Sequence, residues 1–176
     1  MIMKESTNPV INAILNRRSI RRYRGEPVDK LKIKELLIAG MYAPSARNEQ
    51  PWHFIVIEDR SLLERIMSIH PYSSMLSGAA FAILVCGDET LELSKGYWSV
   101  DCAAATQNIL LAAHALGLGA VWLGVYPREE RQAGIREIFG LPSHIHPFSL
   151  ISVGWPAEDK PVPDRVKEDR IRWNSW

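Results

Sequence analysis

Residues 79–86, Ala-Ala-Phe-Ala-Ile-Leu-Val-Cys, run without a polar side chain between Gly78 and Gly87. A strand wetted on one face alternates apolar with polar residues, whereas one without alternation is covered on both faces. This segment therefore reads as a central strand. The rest of the chain must extend the sheet beside it and supply helices to cover it.

The sequence offers both. Asn8-Pro9 opens a short helix, with Asn8 as cap, Pro9 at the first helical position and Val10, Ile11, Ile14 and Leu15 as its apolar face. Asp29 caps a second helix running to about Met41, which Pro44-Ser45 breaks, and Asp59 caps a third with Leu62, Leu63, Ile66 and Met67 inward. Tyr97 to Leu116 is the longest helix. Its six alanines, small on nearly every side, allow close approach of a neighbour, so it reads as the central buried helix and a candidate subunit contact. Arg128 to Phe139 is a further helix, closed by Gly140. Trp52–Ile57, Ala120–Leu123 and Phe148–Val153 read as strands. With at least four strands and five helices in mixed order, the expected class is α+β, helices sandwiching one mixed, mainly antiparallel sheet.

The chain has 176 residues, 47% of them apolar, enough for one domain over residues 1–176. From Trp155 the segment turns proline-rich and charged, so it cannot be helical. Yet it ends with Ile171, Trp173 and Trp176, which a disordered tail has no use for. Residues 155–176 are expected to form an extended arm that packs on its own domain or on a partner. Cys86 and Cys102 form no CxxC, so neither a disulfide framework nor a cysteine zinc site is encoded, and a cytoplasmic location with reduced thiols is the simple expectation. Met1 to Asn16 does not read as a signal peptide. The apolar stretch Ile109–Val125 contains His114 and three glycines and reads as helix into strand, not as a membrane span; with mean hydropathy −0.10 the chain is expected to be soluble.

Charge is balanced overall, at +1, which excludes a globally basic nucleic-acid binder or an acidic tail protein. Locally it is not. Arg17, Arg18, Arg21, Arg22 and Arg24 place five cations in eight residues with no acid among them, where an even spread would place about one. Guanidinium groups fork onto phosphate oxygens, and Ser19 adds a further donor, so the cluster suits a phosphorylated ligand. A solvated basic loop fits the pattern equally well, and a nucleic-acid contact is weakened by the lack of a second basic stripe. A second constellation, Ala43-Pro44-Ser45-Ala46-Arg47-Asn48-Glu49-Gln50-Pro51-Trp52, joins a helix to a strand through a loop dense in amides and hydroxyls. Such groups both donate and accept, which matches the edge of a heterocycle. Gly117-Leu118-Gly119 is not a dinucleotide loop, because its order is helix then strand and Trp122 stands where a third glycine belongs. His53, His144 and His146 lack a carboxylate at ligand spacing, so no metal is expected, and His114 on the buried helix reads as a satisfied core histidine.

From Arg17 to Trp176 the chain resembles the FMN-dependent nitroreductases. The resemblance rests on Arg17-Arg18-Ser19-Ile20-Arg21, on Pro44 to Trp52, on Asp101-Cys102-Ala103-Ala104-Ala105-Thr106-Gln107-Asn108, on Gly117 to Gly124 and on Arg165, in the family's order. It implies the nitroreductase-like sandwich and a homodimer with FMN at the interface, each C-terminal arm wrapping the neighbour. It also implies roles. Arg17 and Ser19 match contacts to the phosphate and ribityl chain, with Arg18 beside them, and Arg165 returns to the same phosphate. Arg21 matches the cation at the pyrimidine edge of the flavin, where it would stabilise the anionic reduced form. Pro44, Ser45 and Asn48 match the loop that the partner lays over the ring, and Leu123 and Gly124 the backbone facing flavin N5.

Three features depart from the family's common pattern. Ala46 replaces Ser or Gly, the segment between Ser61 and Gly96 is compact, and Leu123 stands where many relatives carry an acid. The activity implied is hydride transfer from NAD(P)H through FMN to a nitroaromatic, quinone or similar flat acceptor in a ping-pong cycle. Reductive dehalogenation or flavin fragmentation on the same fold is the alternative, and a nucleic-acid module built on Arg17–Arg24 a more distant one. No triad or paired carboxylates stand at catalytic spacing, so no catalytic side chain is named, and neither nucleic acid nor membrane is an expected partner.

Overall fold

The computed structural model describes residues 6–176; Met1 to Glu5, part of the segment read above as no signal peptide, lie outside them. The order of elements is α1 (Pro9–Asn16), α2 (Lys30–Met41), β1 (Trp52–Ile57), α3 (Arg60–Ile69), β2 (Phe81–Asp88), α4 (Trp98–Ala115), β3 (Gly119–Gly124), α5 (Glu129–Phe139) and β4 (Ile145–Gly154). The helix starts follow the expected chemistry. Asn8 Oδ1 accepts from the amides of Val10 and Ile11, Asp29 Oδ1 from Leu31 and Asp59 Oδ1 from Ser61, at 2.7–3.2 Å. Each satisfies an amide that has no partner within its helix.

The four strands are hydrogen-bonded in the order β1-β2-β4-β3, every pair antiparallel. The only parallel pairing among the described residues is an isolated bridge between Ser19 and Ala120 on the outer edge of β3. β2 is buried along its whole length. Its alternate residues divide two cores. Phe81, Ile83 and Val85 face α2 and α4, where Ile33, Leu36, Cys102, Ala105 and Ile109 meet them. Ala82, Leu84 and Cys86 face α3 and α5, against Leu63, Ile66 and Ile135. The period-two alternation of a strand thus explains why a run with no polar residue was required. Burial pushes the Cys86 thiol up to about 12 and the Cys102 thiol further, so both behave as small core side chains.

Two strands differ most from expectation, and the first is β2, which covers Phe81–Asp88 where residues 79–86 were expected. β4 begins at Ile145, not at Phe148, and so contains Pro147. A proline within an inner strand removes a ladder donor; the register shift between Val85 and Cys86 places a bulge beside it, where the missing bond is tolerated. α4 lies across the sheet with seven buried residues, including Asp101 and Thr106, in keeping with a central helix. Among the described residues no helix is long and apolar enough to cross a membrane.

Residues 17–24 form a strap along the free edge of β3, and residues 155–160 run beside it. Ile20 N donates to Ala120 O, Arg24 N to Trp155 O and Ala157 N to Arg22 O. Tyr23 pins the strap to the sheet. Its hydroxyl donates to Ile20 O at 2.8 Å, with Ser152 O at 3.2 Å, and burial pushes the phenol up to about 12. Tyr23→Phe is expected to lower stability by about 1 kcal/mol, measured as a shifted urea midpoint at unchanged slope.

Candidate functional site

The strap carries the arginine cluster, and among the described residues the arginines of that cluster form no ion pair, although Glu158 and Asp159 line the cavity beside them. Arg17 caps α1, its amide donating to Ala13 O. Arg18 Nε donates to Pro161 O and Nη1 to Arg17 O, while Nη2 is buried with no partner. Arg165, nearly 150 residues away in sequence, comes back to Arg17. Burial, then the Arg165 and Arg18 charges, depress the Arg17 pKa. None of the three has a carboxylate within 4.0 Å among the described residues. The nearby acids are occupied. Glu158 accepts from the Arg21 amide at 2.6 Å and pairs with Lys160, and Asp159 accepts from the Lys160 amide. Lys160 Nζ also donates to Ser19 O at 2.7 Å, adding a fourth cation beside the serine. A cavity of about 230 Å³ opens here, lined by Arg17, Arg18, His114, Gly117 and Glu158 among others. Half-buried like charges with an orphaned guanidinium nitrogen are an arrangement in which an anion would satisfy both the charge and the donor.

From Ala120, beside this cluster, β3 runs to Leu123 and Gly124, about 13 Å farther at strand rise. Leu123 is buried in the α3/α5 core, so its side chain points away from the edge. A Cβ on Gly124 would meet no atom within 4 Å, so space lies open above it. The Gly124 carbonyl is held by two donors, His70 Nε2 at 3.0 Å and Arg131 Nη1 at 2.8 Å. His70 Nδ1 accepts from the Tyr72 amide, so the ring is neutral; its pKa is lowered by burial and by Arg131.

The Pro44–Gln50 loop is elsewhere. It enters β1, the opposite edge of the sheet from β3, and docks on the first turn of α4, where Ala46 N donates to Asp101 Oδ1. His114, beside the arginines, is in the last turn of that helix, about 20 Å away at roughly 1.5 Å per residue. Within one chain, therefore, Arg17, Arg18, Ser19 and Arg165 come together, with Arg21 farther along the strap and Leu123 and Gly124 farther along β3. Pro44, Ser45 and Asn48 do not join them. Arg47, Asn48 and Gln50 all have φ between 47° and 58°, left-handed backbone at non-glycine residues, with Glu49 between them right-handed. Such backbone persists where its surroundings hold it, and it gathers at functional sites. Ser45 Oγ accepts from Gln50 N, and Asn48 Oδ1 from Gln50 Nε2.

A family model described as "Nitroreductase family" matches residues 14–69 and 68–155. The chain belongs to the nitroreductase family. A relative from Methanothermobacter thermautotrophicus, named "Putative NADH dehydrogenase/NAD(P)H nitroreductase", is 50% identical over 98% of this chain and 91% of its own. A crystal structure of a protein of the same name from Parabacteroides distasonis superposes with a TM-score of 0.92 at 43% identity, over 96% of this chain and 99% of that one. An FMN-dependent nitroreductase from Clostridium difficile R20291 gives 0.87 at 29% identity, over 94% and 99%.

Several polar groups of this nitroreductase escaped the sequence reading. Lys160, Glu158 and His70 sit in segments with no motif of their own. The Glu49 and Asp101 carboxyls, 52 residues apart, come together beneath the Ser45–Gln50 loop, away from the arginines. His114 is not the satisfied core histidine that its helix suggested. It is half-buried on the cavity wall, makes no side-chain hydrogen bond among the described residues, and has its pKa lowered by burial and then by Arg17 and Arg18. Helical periodicity cannot separate a core face from a cavity wall. Two other histidines each pair with one carboxylate, His53 with Asp88 at 3.3 Å and His146 with Glu89 at 2.9 Å. No group of three metal-ligating side chains gathers among the described residues.

Proposed function

We propose that this nitroreductase is a cytoplasmic, homodimeric, FMN-dependent NAD(P)H oxidoreductase acting on nitroaromatics, quinones or similar flat acceptors. The observation that carries the reading is the half-buried Arg17 beside Arg18 and Arg165 with no carboxylate in reach, next to an edge strand that is open above Gly124. A phosphate monoester brings nearly two negative charges near neutral pH, which Arg17, Arg18 and Arg165 neutralise while Ser19 contacts phosphate and ribityl oxygens. FMN supplies two-electron chemistry when bound, taking a hydride from NAD(P)H and then reducing the acceptor in a separate half-cycle. Arg21 adds positive charge at the pyrimidine edge, and the Leu123–Gly124 backbone faces the ring.

The separation of the Pro44–Gln50 loop from the arginines within one chain supports a site completed by two copies, with Pro44, Ser45 and Asn48 of the second copy covering the ring. The exposed apolar side chains point the same way. Trp173 is 84% exposed and Trp176 fully exposed in the single chain, with Val166 and Ile171 between the arginine cluster and the terminus. Apolar arms left in water are characteristic of segments buried by a partner. Purified protein is expected to carry the yellow absorbance of oxidised flavin, bleached anaerobically by NADH or NADPH and restored by a nitroaromatic or quinone. A colourless protein that takes up no added FMN overturns the reading.

A further inference from the structure

Two carboxyl groups, Asp101 buried and Glu49 half-buried, meet beneath the Ser45–Gln50 loop with their hydrogen bonds incomplete. Asp101, in the first turn of α4 and only 4% exposed, accepts the Ala46 amide at Oδ1 (3.0 Å). Glu49 accepts the amides of Leu93 and Ser94 at Oε2 (2.7 and 2.9 Å). The remaining oxygens, Asp101 Oδ2 and Glu49 Oε1, are both buried and have no other partner, and the two side chains are within hydrogen-bonding reach of each other. Two ionised carboxylates only accept, so as anions these oxygens would repel and stay orphaned. One proton between them satisfies both.

We propose that Asp101 holds a proton on Oδ2, shared with Glu49 Oε1, and that this shared proton fixes the left-handed turn of the loop. The donor count assigns the proton. Glu49 receives two amides and is the better carboxylate, whereas Asp101 receives one. The surrounding charges agree. Neither group has a Lys, Arg or His nitrogen within 4.0 Å among the described residues. The charges acting on Asp101 are those of Glu49 and of Glu92, whose Oε1 accepts the Gly96 and Trp98 amides, and adjacent Cys102 is a neutral thiol. Burial, reinforced by Glu49, pushes the Asp101 carboxyl above the usual range.

The mechanical consequence is direct. Ala46 and Glu49 flank Arg47 and Asn48, so Asp101 grips both ends of the turn, one oxygen on the Ala46 amide and the other on the Glu49 carboxylate. Asp101 is thus a positioning residue. Its relevance to the flavin rests on the function proposed above, but the proton itself does not.

The test is the pH dependence of stability of the protein as purified, for wild type, Asp101→Asn, Glu49→Gln and Asp101→Ala. The folded state keeps a proton that the unfolded state releases at the ordinary aspartate value. Wild type therefore loses stability as pH rises from that value through the raised folded one. In Asp101→Asn the carbonyl still accepts from Ala46 and the amide donates permanently to Glu49; Glu49→Gln mirrors this. Both are expected to match wild type at the acid end and to lack its decline, so the gap widens with pH, while Asp101→Ala is weakened throughout. A protonated-carboxyl infrared band present in wild type and absent in Asp101→Asn is the second expected readout. Parallel pH profiles for wild type and Asp101→Asn overturn the proposal. So does a rise in wild-type melting temperature with added Mg²⁺ or Ca²⁺ that Asp101→Asn lacks, since the pair would then hold a cation. A protein that binds no FMN leaves these curves unaltered, so the two readings fail separately. Where both hold, FMN affinity of wild type falls as pH rises through the raised Asp101 value and that of Asp101→Asn does not.

Discussion

Replacing Arg17 and Arg165 together by alanine is expected to weaken FMN binding by about 100- to 1,000-fold, or roughly 3–4 kcal/mol, from two lost charge-assisted contacts to one phosphate, discounted for the exposure of Arg165. The same change is expected to stabilise the flavin-free protein slightly, because Arg17 is crowded by the charges of Arg165 and Arg18 and no carboxylate relieves it. Opposite signs in the two measurements separate loss of a ligand contact from damage to the fold, which would lower both. Arg17→Lys keeps a charge but loses the planar fork and should fall between wild type and alanine. Arg18 is a poorer probe, since two of its nitrogens are committed to the Pro161 and Arg17 carbonyls and its loss also frees the arm. Flavin fluorescence titration and thermal melting with FMN removed are the measurements. Added salt should weaken FMN binding as it screens the pair. Unchanged affinity in the double variant would remove these residues from the phosphate site.

What the sequence made legible was local. The three caps, the strand without polar residues and the arginine cluster each depend on side chains within a few positions, where propensity and periodicity act. The relations that make a site are long-range, and no period records them. Lys160 reaches Ser19 and Glu158 reaches Arg21 because the chain after β4 turns back along the strap; the proline-rich composition of that segment excluded a helix but did not say what it would lie against. Glu49 and Asp101 are silent for the same reason, although both stand inside motifs that drew attention. The start of β4 is not evident from sequence because Pro147 is a strand breaker in isolation and is tolerated here beside the bulge that β4 makes at Phe148. The roles proposed for Ser45 and Asn48 rest on the family resemblance, because within one chain neither joins the arginines.

Gly119→Val is expected to dislodge the strap from β3 and, with it, the arginine cluster. A Cβ at residue 119 would lie 2.6 Å from Ile20 Cγ2 and 2.9 Å from Ile20 Cβ, closer than carbon atoms approach. Ile20 cannot simply swing aside. It is buried, its amide donates to Ala120 O, and its neighbour Ser19 bridges the same residue. The clash therefore falls on the backbone pairing that registers residues 17–24 against the sheet. Overpacking of this kind costs about 1–3 kcal/mol. The strap rather than the sheet should yield, because β3 is also paired with β4 over all six residues from Gly119 to Gly124. The expected outcome is a protein that still unfolds cooperatively, at a lower urea midpoint, but retains little FMN. Hydrogen exchange should quicken at the Ile20 and Arg24 amides and remain slow along β2. If flavin binding survives while the Ile20 amide exchanges rapidly, then the pairing of strap and β3 is not what positions Arg17, and the cluster is held by the arm alone.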